Sequence, residues 1–183
     1  MTKYVLTLLL LCQFGVAQAA PDNRRAIVTH YTNLAHAVFD DAETTAQTLL
    51  SRVEALLAEP SEKTLMAARQ AWIAARIPYQ QSEAFRFGNP VVDDWEGQLN
   101  SWPLDEGLID YVDQSYAASL GNIAADMNII ANPTITLGGG AINATTITPA
   151  LLQDLHELAG NAANVTSGYH AIEFLLWGQD LNG

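Results

Sequence analysis

The chain has 183 residues, one cysteine, and 20 acidic against 8 basic side chains, giving a formal charge of −12. Such a length suits one domain, and so acidic a balance makes nucleic acid and anionic membrane surfaces poor partners. The acidity is uneven: the last basic residue is Arg86, and Phe87 to Gly183 hold twelve acids without one Lys or Arg. That distribution keeps an exported chain soluble and also makes a field that concentrates cations.

Residues 1–19, MTKYVLTLLLLCQFGVAQA, read as a secretory signal: Lys3 is basic, Tyr4 to Cys12 are apolar, and Ala17-Gln18-Ala19 is a small-x-small cleavage site. The apolar run is shorter than the roughly 20 residues that span a bilayer, so no transmembrane segment is expected in the mature chain. Its expected location is the periplasm or cell envelope. Cleavage removes Cys12, so disulfides and thiolate ligands are excluded, and any metal site must use His, Asp, Glu and carbonyl groups.

From Asn23 to Leu57, Ile27, Tyr31, Leu34, Val38, Ala42, Leu49, Val53 and Leu56 recur at spacings of three and four with a break at Thr45. This is the stripe of a long bundled helix. Glu59-Pro60-Ser61 ends it, and Ser61 is placed to cap the next helix. There Leu65, Trp72 and Tyr79 line one side, while Arg69, Arg76 and Glu83 line another at the same seven-residue spacing. Pro78 should kink this helix or open one turn. Asn89 to Pro103 read as a loop pinned by its tryptophans. LDEGLIDYV then suggests a short helix with Leu104, Leu108, Tyr111 and Val112 inward and Asp105, Glu106, Asp110 and Asp113 outward. Asn132 to Thr148 are irregular and Gly-rich, with room for a short hairpin. Thr148-Pro149 opens a helix running to about Leu158, on which His156 is exposed, and a last helix covers Ser167 to Trp177. These elements make an all-α fold, an up-and-down helical bundle.

The last helix carries the chemistry. His170 and Glu173 stand three apart on one face of a segment that is apolar nearly all round. A buried carboxylate needs a cation, and the partners open to Glu173 are a metal, Arg76, Arg86 or protonated His170. The sequence around His156-Glu157 lacks the second histidine of a zincin helix, and there is no nucleophile elbow or phosphate-binding glycine loop.

GYHAIEFLLWGQD at Gly168 to Asp180 resembles the Gly-x-His-x-x-Glu signature of the imelysin family, extracytoplasmic bacterial proteins linked to iron supply. AWIAARIPYQQSEAFRFG at Ala71 to Gly88 and WPLDEGLIDYV at Trp102 to Val112 are similar to that family's Arg-x-x-Tyr-x-x-x-Glu helix and Pro-Leu-Asp segment. The resemblance implies a helical protein of two bundle-like halves with a pocket where they meet. This chain, a signal peptide over 1–19 and a helical domain over 20–183, would be the first half, truncated at its C-terminus.

Further, the resemblance implies a cation site with His170, Glu173, Glu83 and Asp105 as ligands, Asp110 as substitute for Asp105, and Gly168, Arg76 and Tyr79 in support. Iron-transport relatives carry Tyr-Glu-x-x-Glu where this chain has Gln80 after Tyr79. Oxygen-rich ligation with one imidazole suits iron, with zinc or calcium as alternatives. The expected role is metal binding in iron acquisition or homeostasis, beside other envelope iron-uptake components. A metallopeptidase and a non-catalytic structural or peptide-binding module are the alternatives; no catalytic residue is singled out.

Overall fold

The computed structural model describes residues 23–113, 115–116, 121–137 and 140–181, so the signal expected over residues 1–19 lies outside the described residues. The chain divides into two units, one ending at Leu34 and one starting at Ala35. In the first, the helical turns expose Ile27, Val28 and Tyr31, and Thr32 Oγ1 bonds back to the Val28 carbonyl at 2.9 Å.

The element order is α1 (Arg24–Ala58), α2 (Glu62–Gln81), α3 (Glu83–Arg86), α4 (Pro90–Asn100), α5 (Glu106–Ile109), β1 (Thr134–Leu137), β2 (Gly140–Asn143), α6 (Pro149–Leu155), a 3-10 turn (Leu158–Gly160) and α7 (Gly168–Trp177). The fold is helical as expected, with one antiparallel hairpin pairing Thr134 with Asn143 and Leu137 with Gly140. No helix among the described residues is long and apolar enough to cross a membrane.

Within the second unit, the expected stripe of α1 faces inward: Leu49 is buried, and Val38, Ala42, Thr45, Val53 and Leu56 are half-buried. Ser61 caps α2 through a reciprocal pair of hydrogen bonds with Thr64, satisfying two of the donors that a helix start leaves open. Small residues bring α2 close to its neighbours: Ala68, Ala71 and Ala75 are buried with Tyr79. The helix continues through Pro78 to Gln81.

The segment expected to be a loop at Asn89 to Pro103 is instead mostly helix. Pro90 occupies the first turn of α4, where its missing N–H costs nothing. Val92, Glu96 and Asn100, four apart, form a half-buried inner edge. That edge carries polar groups, which meet Arg86 and Arg76, so an apolar periodicity does not reveal the helix. The tryptophans do not pin it either: Trp95 and Trp102 are 55% and 68% exposed.

Further departures follow along the chain. α5 is a single turn, with Asp105 buried rather than outward and Tyr111 exposed rather than inward. α6 stops at Leu155; His156 is its C-cap, and both its ring nitrogens are buried without a hydrogen-bond partner among the described residues. Glu157 and Ala159 then adopt left-handed backbone at φ 53° and 59°, which turns the chain sharply towards α7.

Among the described residues, three apolar clusters hold the second unit. Leu49, Ala71, Ala75, Tyr79 and Tyr169 join α1, α2 and α7. Leu104, Ile109, Val165, Ala171 and Phe174 join α5 to α7. Leu108, Ile129, Ile135, Ala144 and Leu155 unite the hairpin, α6 and the centre of α5. Between Leu49, Leu50, Val53 and Leu57 of α1 and Ile172 and Leu175 of α7 runs an apolar groove of about 610 Å³.

Candidate functional site

Helix α7 is fixed from two sides. Ser167 Oγ donates to the Gln98 carbonyl at 2.9 Å, and Gly168, at φ +87°, lies where a Cβ would stand 2.5 Å from the Leu99 carbonyl oxygen. Only glycine allows that approach of α7 to the end of α4. From α2, Trp72 Nε1 donates to the Tyr169 carbonyl at 2.9 Å and Arg69 Nε to the Leu176 carbonyl at 2.8 Å. The Arg69 guanidinium also lies 5.4 Å from the centre of the Trp177 ring, a cation beside the carbonyl end of the helix dipole.

These contacts leave the His170–Glu173 edge facing a cavity of about 530 Å³, whose lining includes Trp102, Glu106, His170, Glu173, Trp177 and Asp180. His170 Nδ1 is 3.0 Å from Glu173 Oε2, with side-chain exposures of 16% and 42%. Of the partners open to Glu173, His170 is the one at hydrogen-bond distance. Glu173 is not sealed in the core as its apolar neighbours imply, because the cavity lets water reach it. The Trp102 ring centre lies 4.9 Å from that of His170. Glu106 enters from the start of α5, its carboxyl pushed above the usual range by burial and by the nearby Asp180 carboxylate.

The other expected site residues go elsewhere. Asp105 is 0% exposed, receiving hydrogen bonds from Tyr116 Oη at 3.0 Å and Asn122 Nδ2 at 2.6 Å. Asn122 Nδ2 also reaches Asn164 Oδ1 at 2.6 Å, so this carboxylate closes a polar network under the core. Burial, and then the bond to Asp105, push the Tyr116 phenol up to about 12. Glu83 is exposed on α3, and Asp110 lines a separate cavity with Asp126 and Asn128.

Arg76 hydrogen-bonds Asn100 Oδ1, with its guanidinium 5.1 Å from the Tyr169 ring and 5.5 Å from the Tyr79 ring. Tyr79 Oη accepts from Arg86 Nη1 at 3.1 Å, and Arg86 pairs with Glu96 at 3.0 Å. Burial pushes the Tyr79 phenol up to about 12 despite the two arginines. Arg76 and Tyr79 thus tie α2 to α4 and α7, beside a smaller cavity of about 240 Å³.

Sequence reasoning missed Glu106, Asp180 and Trp102 as neighbours of His170. The available signal was small: Asp105 precedes α5 and Glu106 begins it, so adjacent carboxylates take opposite directions, one into the core and one into the cavity. An imidazole among carboxylates is a donor set for a hard or borderline cation. Among the described residues, no three His, Cys, Asp or Glu side chains stand close enough together to hold a metal ion. As placed, the site offers a direct pair, His170 and Glu173, within a wider acidic rim.

The match to known proteins agrees with this architecture. Residues 35–183 match the imelysin family model, and the chain belongs to the imelysin family. A stretch of 50 residues, 27% of this chain, is 42% identical to Iron-regulated protein A of Synechococcus elongatus and covers 14% of that relative's length.

Proposed function

We propose that this chain is an extracytoplasmic cation-binding protein of iron acquisition or homeostasis, whose ion is held at the His170–Glu173 edge of the α5–α7 cavity. The observation that carries this reading is the pairing of an imidazole and a carboxylate at 3.0 Å on the wall of a cavity that also presents Glu106 and Asp180. Membership of the imelysin family and the likeness to Iron-regulated protein A support iron as the ion, with zinc and calcium as competitors. The signal-like residues 1–19 support export to the periplasm or envelope, where other iron-uptake components would be the partners.

His170 and Glu173 bond each other at 3.0 Å; a cation there would be held by the imidazole nitrogen of His170 and a carboxylate oxygen of Glu173. Titration of Fe²⁺ under anaerobic conditions, then Zn²⁺ and Ca²⁺, into the protein and its His170→Ala and Glu173→Ala variants tests the reading. Binding in the wild type lost in both variants is expected; equal binding in all three overturns it. Peptide cleavage that a chelator abolishes would make the chain a metallopeptidase instead.

A further inference from the structure

The apolar groove between α1 and α7 adjoins the smaller cavity beside Tyr79. Ala46, Leu99 and Tyr169 line both, so a space of about 610 Å³ meets one of about 240 Å³. The larger falls within the roughly 300–1,000 Å³ of small-molecule sites. None of the described residues lining either space lines the cavity of His170 and Glu173.

The two ends differ in chemistry. No charged side chain is among the described residues lining the groove, whereas Glu43, Arg86 and Glu96 line the smaller cavity. Arg86 Nη1 donates to Tyr79 Oη at 3.1 Å and to Glu96 Oε1 at 3.0 Å, but Arg86 Nε is buried with no hydrogen-bond partner among the described residues. A buried donor without an acceptor is destabilising, most of all on a charged group. An oxygen brought to Nε by a ligand would relieve that cost.

Charge decides which oxygen fits. Glu96 already balances the Arg86 guanidinium, burial keeps the Tyr79 phenol uncharged by pushing it up to about 12, and Glu43 adds a further negative charge at the exposed rim. A carboxylate head would face both glutamates, and an ammonium head would face Arg86 and offer Nε no acceptor. A hydroxyl or ester oxygen accepts from Nε and leaves the balance unchanged.

We propose that the joined groove and cavity bind an uncharged single-chain amphiphile, its hydrocarbon chain lying between α1 and α7 and its oxygen accepting from Arg86 Nε. This site is independent of the cation-binding reading.

Calorimetric titration of the full chain with decanol, octanol, decanoate and decylammonium at neutral pH tests it. Decanol should bind saturably, and octanol about 15-fold more weakly, since each buried methylene is worth about fourfold in affinity. Decanoate and decylammonium should bind about tenfold more weakly than decanol or worse. Arg86→Lys, which keeps the charge and removes Nε, should weaken decanol about tenfold and leave the octanol-to-decanol ratio unchanged. Leu50→Glu, at a position 59% exposed, should abolish binding of the chain without disturbing the core. Absence of saturable decanol binding overturns the proposal, and if protein mass then still rises with concentration the groove is instead an interface between copies. Decanoate or decylammonium binding as tightly as decanol overturns the uncharged head, unchanged affinity in Arg86→Lys overturns the Nε contact, and unchanged affinity in Leu50→Glu overturns the groove as the seat of the chain. The wild-type chain-length and head-group series stands without any variant having to fold.

Discussion

At the scale of single residues, the buried hydroxyls and carboxylates sort structure from site. Asp105 looks like a ligand in the sequence, yet it is fully buried and accepts hydrogen bonds from Tyr116 and Asn122. Asp105→Asn should therefore lower the unfolding free energy measured in denaturant by about 1–3 kcal/mol and leave Fe²⁺ affinity of the folded protein unchanged. Alkaline pH acts through the phenols. Tyr79 and Tyr116 are pushed from an ordinary 10 up to about 12, so between those values the folded chain binds more protons than the unfolded one. Stability then falls as pH rises through that window and is unaffected below it. Denaturant melts on both sides of pH 10, repeated for Tyr79→Phe and Tyr116→Phe, should show a smaller alkaline loss in each variant.

At the scale of elements, α7 depends on its fit to α4 and α2. Gly168→Ala places a methyl group against the Leu99 carbonyl at a backbone angle that favours glycine, with an expected loss of about 2–4 kcal/mol from strain and overpacking. Chemical unfolding measures it, and wild-type stability in the variant would refute the close approach. This contact also shows what was legible. α1 and α2 are readable because their buried edges are apolar and Ser61 caps in a standard way. α4 is not, because its inner edge is Val92, Glu96 and Asn100, and its two polar members are satisfied by each other and by Arg86 and Arg76 from outside the helix. For the same reason His170 and Glu173 are visible as neighbours on one helix, whereas Glu106 and Asp180 join them through folding.

For the whole second unit, the unequal distribution of charge and apolar surface sets behaviour in solution. Leu50, Leu57 and Leu175 along the α1–α7 groove are 59%, 75% and 53% exposed, a continuous apolar strip of the kind that promotes association. Light scattering should show mass rising with concentration, and Leu57→Glu with Leu175→Glu should suppress it without lowering the unfolding midpoint. Meanwhile Arg69, Arg76 and Arg86 are held against aromatic rings, and no Lys or Arg is among the described residues lining the α5–α7 cavity.

Arg86 has one more consequence. It is the final basic residue of the sequence, its side chain is 11% exposed, and it is held by Tyr79 and Glu96. Trypsin, which cuts after Lys and Arg, has no bond to attack between Phe87 and Gly183. Cleavage between Arg86 and Phe87 requires α3 to open, so its rate reports how often that single turn comes apart. Residues 87–183 stay joined after that cut, still carrying Trp102, Glu106, His170, Glu173 and Asp180.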